Sequence, residues 1–224
     1  MLQAWRVWLP REKRVEQVQK TLWALFLLTL PVTSFPYFPG GVGGRTEVRP
    51  LSIYPLFLLL LIYTLPRLFT HSTPRTALPL GAFVLVALAS TVLAYTRGID
   101  PDIGISVSSR AVRMTATLLL GVAFYITVAV IPRTADELRF ALRWLYAGFG
   151  IALLWGCVQI GYILFYTPEY FDLIEYLQGF FSVRGLFETR ISGMTYEPNW
   201  FAEQITFLLM PWLFAAVMSG YSAF

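Results

Sequence analysis

The feature that most constrains the fold is a series of long apolar runs separated by polar segments. Six runs recur, at 22–37, 51–65, 78–95, 112–131, 145–166 and 200–218. Each approaches the roughly 20 apolar residues that a helix needs to cross a bilayer. The chain is also 57% hydrophobic and only 13% charged, which excludes an ordinary soluble domain. The sequence therefore predicts an all-α, polytopic integral membrane protein with about six transmembrane helices.

The N-terminal region predicts a retained first helix rather than a secretory signal. Residues 1–20 are polar and basic and are interpreted as a cytoplasmic segment, followed by a single membrane domain over 21–224. The run 22–37 could imitate a signal peptide, but Pro31 and Pro36 stand where a small-residue cleavage site would be needed. The distribution of Lys and Arg supports a cytoplasmic N-terminus. With that orientation, ten of the 17 Lys and Arg residues would lie on the cytoplasmic side of the membrane.

The longest polar segment, about 167–199, separates the fifth and sixth runs on the predicted outer side. In its first half, 168–177, acidic residues recur at every third position, as Glu169, Asp172 and Glu175, among aromatic and aliphatic residues. This pattern predicts an amphipathic helix that lies on the outer membrane face with its acidic stripe toward water. The alternative is a plain extracytoplasmic connector.

The second half of this loop, residues 188–200, combines a cation, a glycine and a helix start. Arg190 carries a permanent charge and a forked donor set that suits phosphate oxygens. Gly193 permits backbone angles, or a close ligand approach, that a side chain would block. Pro198 suits the first turn of a helix, and the helix dipole favours the adjacent Glu197. Together these residues predict an anion site at a membrane surface.

Three charged residues elsewhere are further candidates for binding a substrate. Arg110 and Arg113 are three positions apart at the outer start of the fourth run, so they share a helix face and would form a basic cluster with Arg190. Headgroup anchoring is the alternative for this pair. Glu203 falls one turn after Asn199 inside the sixth run, where ionisable groups are costly and often functional. Its alternative is an interfacial acid paired with an arginine.

Metal, cofactor and nucleic-acid sites are not predicted. The Asp100-Pro101-Asp102 spacing occurs in metal sites of some glycosyltransferases, but helix capping explains it as well. The only histidine, His71, has no ligand partners at metal spacing, and the glycine-rich 40–45 lacks the ending of a phosphate loop. The single cysteine, Cys157, is expected to be a packed thiol. No groove pattern of alternating basic and aromatic residues indicates nucleic acid as a partner.

The loop motif resembles that of the O-antigen ligase and polymerase superfamily. The similarity lies in the run Arg190-x-Ser192-Gly193-x-x-x-Glu197-Pro198-Asn199, which follows a fifth apolar run, and in Val48-Arg49-Pro50-Leu51 at the second run. The resemblance implies a bacterial inner-membrane enzyme of lipopolysaccharide or exopolysaccharide biosynthesis. Such an enzyme takes a glycan from an undecaprenyl-pyrophosphate carrier and transfers it to a hydroxyl of a glycan or lipid acceptor. It uses neither nucleotide sugar nor metal.

The resemblance also implies roles for the motif residues. Arg190 would bind the donor pyrophosphate and stabilise its charge as the leaving group. Gly193, Pro198 and Asn199 would shape the loop and begin the next helix. The family has about twice as many helices and a catalytic histidine in a later outer loop, so the chain is expected to be the N-terminal part of a longer protein. A transporter or flippase subunit for a lipid-linked glycan is the main alternative, and a structural subunit is the third.

Overall fold

The computed structural model describes residues 11–37, 49–70, 77–97 and 107–219. The chain divides into two compact units, called here the first unit (Met1–Pro55 with Leu138–Phe224) and the second unit (Leu56–Glu137). Within the described residues the regular structure is helical, with one isolated parallel bridge between Ser34 and Arg49. The α-helices are α1 (Arg11–Thr29), α2 (Ile53–Leu59), α3 (Leu65–Thr70), α4 (Ala77–Thr96), α5 (Val107–Val130), α6 (Ala135–Leu164), α7 (Pro168–Gln178), α8 (Pro198–Gln204) and α9 (Met210–Met218).

Four helical stretches in the described residues are long and apolar enough to cross a membrane: Ala77–Thr96, Arg110–Val130, Ala135–Leu164 and Pro198–Met218. They coincide with the third to sixth predicted runs. These helices indicate a multi-pass membrane protein, and the predicted all-α class is confirmed for the described residues. A further apolar helix, Ile53–Phe69, matches the second run but is shorter. A total of six spans stays a prediction.

The first predicted run does not form one continuous helix. Helix α1 ends at Thr29, two residues before Pro31, whose ring nitrogen cannot donate a helical hydrogen bond. The chain then pairs with the residues around Arg49 instead. The N–H of Phe35 donates to the Arg49 carbonyl at 2.8 Å, and the Arg49 N–H donates to the Thr33 carbonyl at 2.7 Å. Hydropathy alone overestimated the length of this helix, because the residues after Thr29 are largely apolar but do not continue the helix.

Two apolar helices contain a π-helical turn immediately before a proline. The turns are Leu60–Thr64, which precedes Pro66, and Ile205–Leu209, which precedes Pro211. In each case the residue just before the proline donates to the carbonyl five residues back. A proline in a helix lacks a donor and its ring crowds the carbonyl four residues earlier. The wider turn keeps the apolar helix continuous through the proline.

The second unit packs the first of these π turns against α5. Thr64, at the end of the turn, is fully buried, as is Thr127 on α5. The Thr64 hydroxyl donates to the Thr127 hydroxyl at 3.5 Å. Helix α4 buries none of its own residues, and its long apolar surface suits contact with lipid.

Gly148 of helix α6 brings α1 against that helix at backbone distance. A Cβ atom at position 148 would lie 2.5 Å from the backbone oxygen of Leu28 on α1. Two positions further along α6, a Cβ at Gly150 would meet nothing within 4 Å. Gly148 is therefore required by the helix crossing, whereas Gly150 is not.

This difference predicts opposite effects for the same substitution. We expect Gly148→Ala to destabilise the protein by about 1–3 kcal/mol, because the backbone of α1 must shift to admit the methyl group. Gly150→Ala should stabilise it by about 0.5–1 kcal/mol, because alanine loses less entropy in a helix. Thermal unfolding of the two purified variants in detergent measures the difference. Equal transition temperatures would show that α1 and α6 do not cross at Gly148.

Candidate functional site

The predicted amphipathic helix is present as α7. It begins at Pro168, and the side chain of Thr167 caps it by accepting a hydrogen bond from the Tyr170 N–H at 3.3 Å. The three acids of the predicted stripe, Glu169, Asp172 and Glu175, are exposed. The opposite face is buried at Ile174 and Gln178, so α7 packs on the protein. Its contact with a membrane face stays a prediction.

Gln159 of α6 holds the motif loop at its turn. Its side chain is fully buried, and its Oε1 accepts hydrogen bonds from the backbone N–H groups of Ser192 and Gly193, each at 2.9 Å. Its Nε2 lies 3.3 Å from the Gly193 carbonyl oxygen, to which it donates. One side chain thus satisfies three backbone groups of a buried turn, which would otherwise be costly to remove from water.

The hydrogen-bond network of Gln159 continues to α7. Its Nε2 also donates to Oε1 of Gln178 at 2.6 Å, and the Trp155 indole N–H donates to the same oxygen at 3.2 Å. The Nε2 of Gln178 donates to the carbonyl oxygen of Arg184 at 2.9 Å. Two buried glutamines therefore join α6, the end of α7 and both halves of the 167–199 loop in a single polar network.

Gly193 is required at its position by backbone angle and by packing. Its φ is +55°, in the left-handed region that other residues rarely adopt. A Cβ atom there would lie 2.5 Å from the ring of Phe201, and one at Gly156 on α6 would lie 2.8 Å from the same ring. The buried Phe201 ring of α8 thus lies against two glycines. This packing accounts for Gly193 without a ligand, and its predicted substrate-binding role stays a prediction.

The residues that follow α1 fasten the loop from another side. The Thr33 N–H donates to the Met194 carbonyl at 3.4 Å, and the Thr33 hydroxyl accepts from the Tyr196 N–H at 2.9 Å. Ser34, which is fully buried, accepts at its carbonyl from the Val183 N–H at 2.8 Å. These bonds join segments about 150 residues apart in sequence, so the loop is part of the first unit's core.

The motif loop ends in the predicted helix start. Glu197 is the N-cap of α8, with extended backbone angles and no capping bond from its side chain, and Pro198 occupies the first helical position. The Thr195 Oγ1 lies 2.7 Å from the carbonyl oxygens of both Ser192 and Glu197, and its single proton serves one of them at a time. The predicted helix start at Pro198 is confirmed.

Arg190 lies on a short exposed stretch between two anchored points. On one side the hydroxyl of buried Tyr162 donates to the Phe187 carbonyl, and on the other Gln159 holds the Ser192 N–H. Arg190 is exposed, and its guanidinium makes no hydrogen bond or ion pair with the described residues. The loop therefore presents a cation whose backbone is fixed at both ends and whose donors are available.

A second loop arginine, Arg184, was missed by sequence reasoning. Its guanidinium carbon lies 4.8 Å from the centre of the Phe187 ring and 5.3 Å from that of Tyr196, in cation–π geometry. The aromatic residue three positions after Arg184 was the available signal. The role of Gln159 was also missed, although a glutamine inside an apolar run is itself a signal of a buried polar contact.

The remaining residues singled out in the sequence lie on three different helices, α8, α5 and α6. Asn199 and Glu203 are exposed on α8, beside the motif loop in sequence. Arg110 and Arg113 are exposed on α5, in the second unit, so their predicted cluster with Arg190 stays a prediction. Cys157 is exposed on α6, which corrects the expectation of a packed thiol, because it falls on a face of α6 that no described helix covers.

Metal-binding groups and the comparisons add little to this description. Among the described residues no group of three or more His, Cys, Asp or Glu side chains could hold a metal ion. His71, Asp100, Asp102 and the glycine-rich 40–45 lie outside the described residues.

No protein-family model, curated protein or solved structure matches this chain. The resemblance to the O-antigen ligase and polymerase superfamily therefore rests on the motif residues.

Proposed function

We propose that the protein catalyses glycosyl transfer at the outer face of a bacterial inner membrane. In this reaction an acceptor hydroxyl on a glycan or lipid attacks the anomeric carbon of a glycan carried by undecaprenyl pyrophosphate. The hydroxyl oxygen bonds to that carbon and gives up its proton to solvent, the bond from the carbon to the pyrophosphate oxygen breaks, and undecaprenyl pyrophosphate leaves. The observation that carries the proposal is Arg190, an exposed guanidinium on a loop whose backbone is anchored on both sides, eight positions before a helix long and apolar enough to cross a membrane.

The geometry of the loop supports this role for Arg190. A guanidinium binds phosphate oxygens through paired, charge-assisted hydrogen bonds, and its benefit is greatest when its position is fixed beforehand. The anchors at Phe187 and Ser192 fix the backbone on both sides of Arg190. Because Pro198 begins an apolar helix eight positions later, the loop lies near one end of a predicted span, where a lipid-linked pyrophosphate would be found.

A transporter or flippase for a lipid-linked glycan is the second candidate. Pro66 and Pro211 favour it, since apolar segments that contain proline are typical of the helices that form transporter binding sites. In that case Arg190 would bind the same phosphate oxygens, but no bond would break. Both candidate functions require recognition of the same phosphate oxygens, and they differ in whether a covalent product forms.

A vesicle assay separates these two functions. The protein is reconstituted with a lipid-linked glycan donor labelled in its glycan and with a hydroxyl-bearing acceptor. We expect the label to move covalently to the acceptor, with release of an equal amount of undecaprenyl pyrophosphate. A donor that reaches the other leaflet intact, with no labelled acceptor, would contradict the transferase and support the transporter.

A further inference from the structure

A second arginine, Arg184, lies at the base of the stretch of chain that carries Arg190. Its guanidinium carbon is 4.8 Å from the centre of the Phe187 ring and 5.3 Å from that of the Tyr196 ring. These two aromatic residues stand on either side of Arg190 in the sequence. Their contacts with one guanidinium therefore bring the two ends of residues 187–196 together, with Arg190 on the exposed stretch between them.

The backbone of Arg184 is held at both its donor and its acceptor. The Arg184 N–H donates to the hydroxyl of buried Ser182 at 3.1 Å, and the Arg184 carbonyl accepts from the Nε2 of buried Gln178 at 2.9 Å. The side chain is held in turn by the two aromatic rings. A guanidinium fixed in this way binds a ligand with little ordering cost.

The hydrogen-bond donors of the Arg184 side chain are available. The residue is half-buried, and its guanidinium donates to no acceptor in the part of the chain that the structure describes. The acids of the same loop, Glu188 and Glu197, form no ion pair with Arg184 or Arg190. A cation–π contact occupies the face of a guanidinium and leaves the N–H groups on its edge for an anion. The loop thus carries two arginines whose edges are unused.

The two arginines are close enough along the chain to share one ligand. Arg184 contacts the Phe187 ring, and Arg190 follows Phe187 by three residues, which span at most about 11 Å even when fully extended. Both side chains are long, so they can converge on one anion. A diphosphate has two sets of phosphate oxygens joined through a bridging oxygen, and it can therefore give each guanidinium a phosphate of its own.

We propose that Arg184 and Arg190 bind a diphosphate together, one phosphate each, and that Arg184 makes the site selective for diphosphate over monophosphate. The inference rests on the proposed function for the class of ligand, a lipid-linked pyrophosphate. It does not depend on bond cleavage, since a transporter of the same lipid would need the same selectivity. Arg184 is thus a specificity-determining residue, whereas the transfer mechanism described above uses Arg190 alone.

The test compares two ligands that differ by one phosphate group, farnesyl diphosphate and farnesyl monophosphate. Their affinities are measured for wild type, Arg184→Gln and Arg143→Gln in phosphatidylcholine nanodiscs. We expect wild type to bind the diphosphate at least about tenfold more tightly than the monophosphate. Arg184→Gln should lower the diphosphate affinity by about tenfold and leave the monophosphate affinity within about twofold, because Arg190 still binds one phosphate. Arg143→Gln, the control at an exposed arginine on α6, should change neither affinity.

The monophosphate separates a role in binding from a role in structure. A variant whose loop had collapsed would lose both ligands, so equal losses of the two affinities in Arg184→Gln would overturn the inference. Wild-type selectivity in Arg184→Gln would overturn the inference alone and leave the proposed function standing. A wild-type protein that does not prefer the diphosphate would contradict the pyrophosphate ligand of the proposed function as well. Arg184→Lys should recover only part of the selectivity, because lysine lacks the planar fork.

Discussion

Gln159→Leu should destabilise the first unit by about 2–6 kcal/mol. Leucine has a similar size and suits a membrane helix, so the loss comes from hydrogen bonding. The buried N–H groups of Ser192 and Gly193 would lose their acceptor, and each buried group left unpaired costs about 1–3 kcal/mol. Thermal unfolding in detergent should therefore show a clear decrease in transition temperature. Glycan transfer should fall with it, because the turn next to Arg190 is released.

The same substitution at Gln204 is the matched control. Gln204 lies on α8, also in the first unit, and the buried Oε1 of its side chain has no hydrogen-bond partner among the described residues. Removing a buried polar atom that is already unpaired costs nothing or stabilises. Gln204→Leu should therefore match or exceed the wild-type transition temperature. Equal losses in the two variants would show that the Gln159 network does not hold the loop.

Local features of this chain could be predicted from its sequence. Pro198 marks a helix start because the missing N–H of proline is unpaired there in any case, and α8 begins at that residue. The spacing of Glu169, Asp172 and Glu175 likewise predicted α7, whose acids are exposed. In both cases the physical cause lies within one or two helical turns, which a single sequence displays.

The contacts that fix the loop could not be predicted in this way. Gln159 reaches Ser192 and Gly193 across 33 and 34 positions, and Thr33 reaches Tyr196 across 163. Uncharged polar residues of this kind have many potential partners, and neither periodicity nor spacing selects one. The end of α1 at Thr29 could have been predicted from Pro31, which has no backbone N–H to donate. A hydropathy average does not detect this, because it depends on the side chains and not on the backbone hydrogen-bond donors.

Under the proposed transfer mechanism, Arg190→Ala in the full-length protein should abolish most glycan transfer while leaving the fold intact. As the bond between sugar and pyrophosphate breaks, negative charge develops on the leaving oxygen. A guanidinium fixed beside it stabilises the transition state more than the ground state, which accelerates the reaction. By comparison with loss of one oxyanion donor, the barrier should rise by roughly 3–4 kcal/mol, and the rate should fall by about 10²–10³-fold. Arg190→Lys should recover only part of this rate, because lysine keeps the charge but loses the bidentate fork.

The stability of this variant should be close to that of the wild type. The Arg190 side chain is exposed and makes no hydrogen bond or ion pair with the described residues, so its removal costs little folding free energy. Arg143→Ala is the matched control, since Arg143 is an exposed arginine on α6 in the same unit. It should retain both wild-type stability and wild-type transfer.

The measurement that tests the central claim most directly is the rate of glycan transfer in vesicles by wild type, Arg190→Ala and Arg143→Ala at equal protein amounts. The transfer mechanism predicts a rate lower by about 10²–10³-fold for Arg190→Ala alone, with the transition temperatures of all three proteins unchanged. Transfer by Arg190→Ala at the wild-type rate would contradict the assignment of the donor pyrophosphate to this loop.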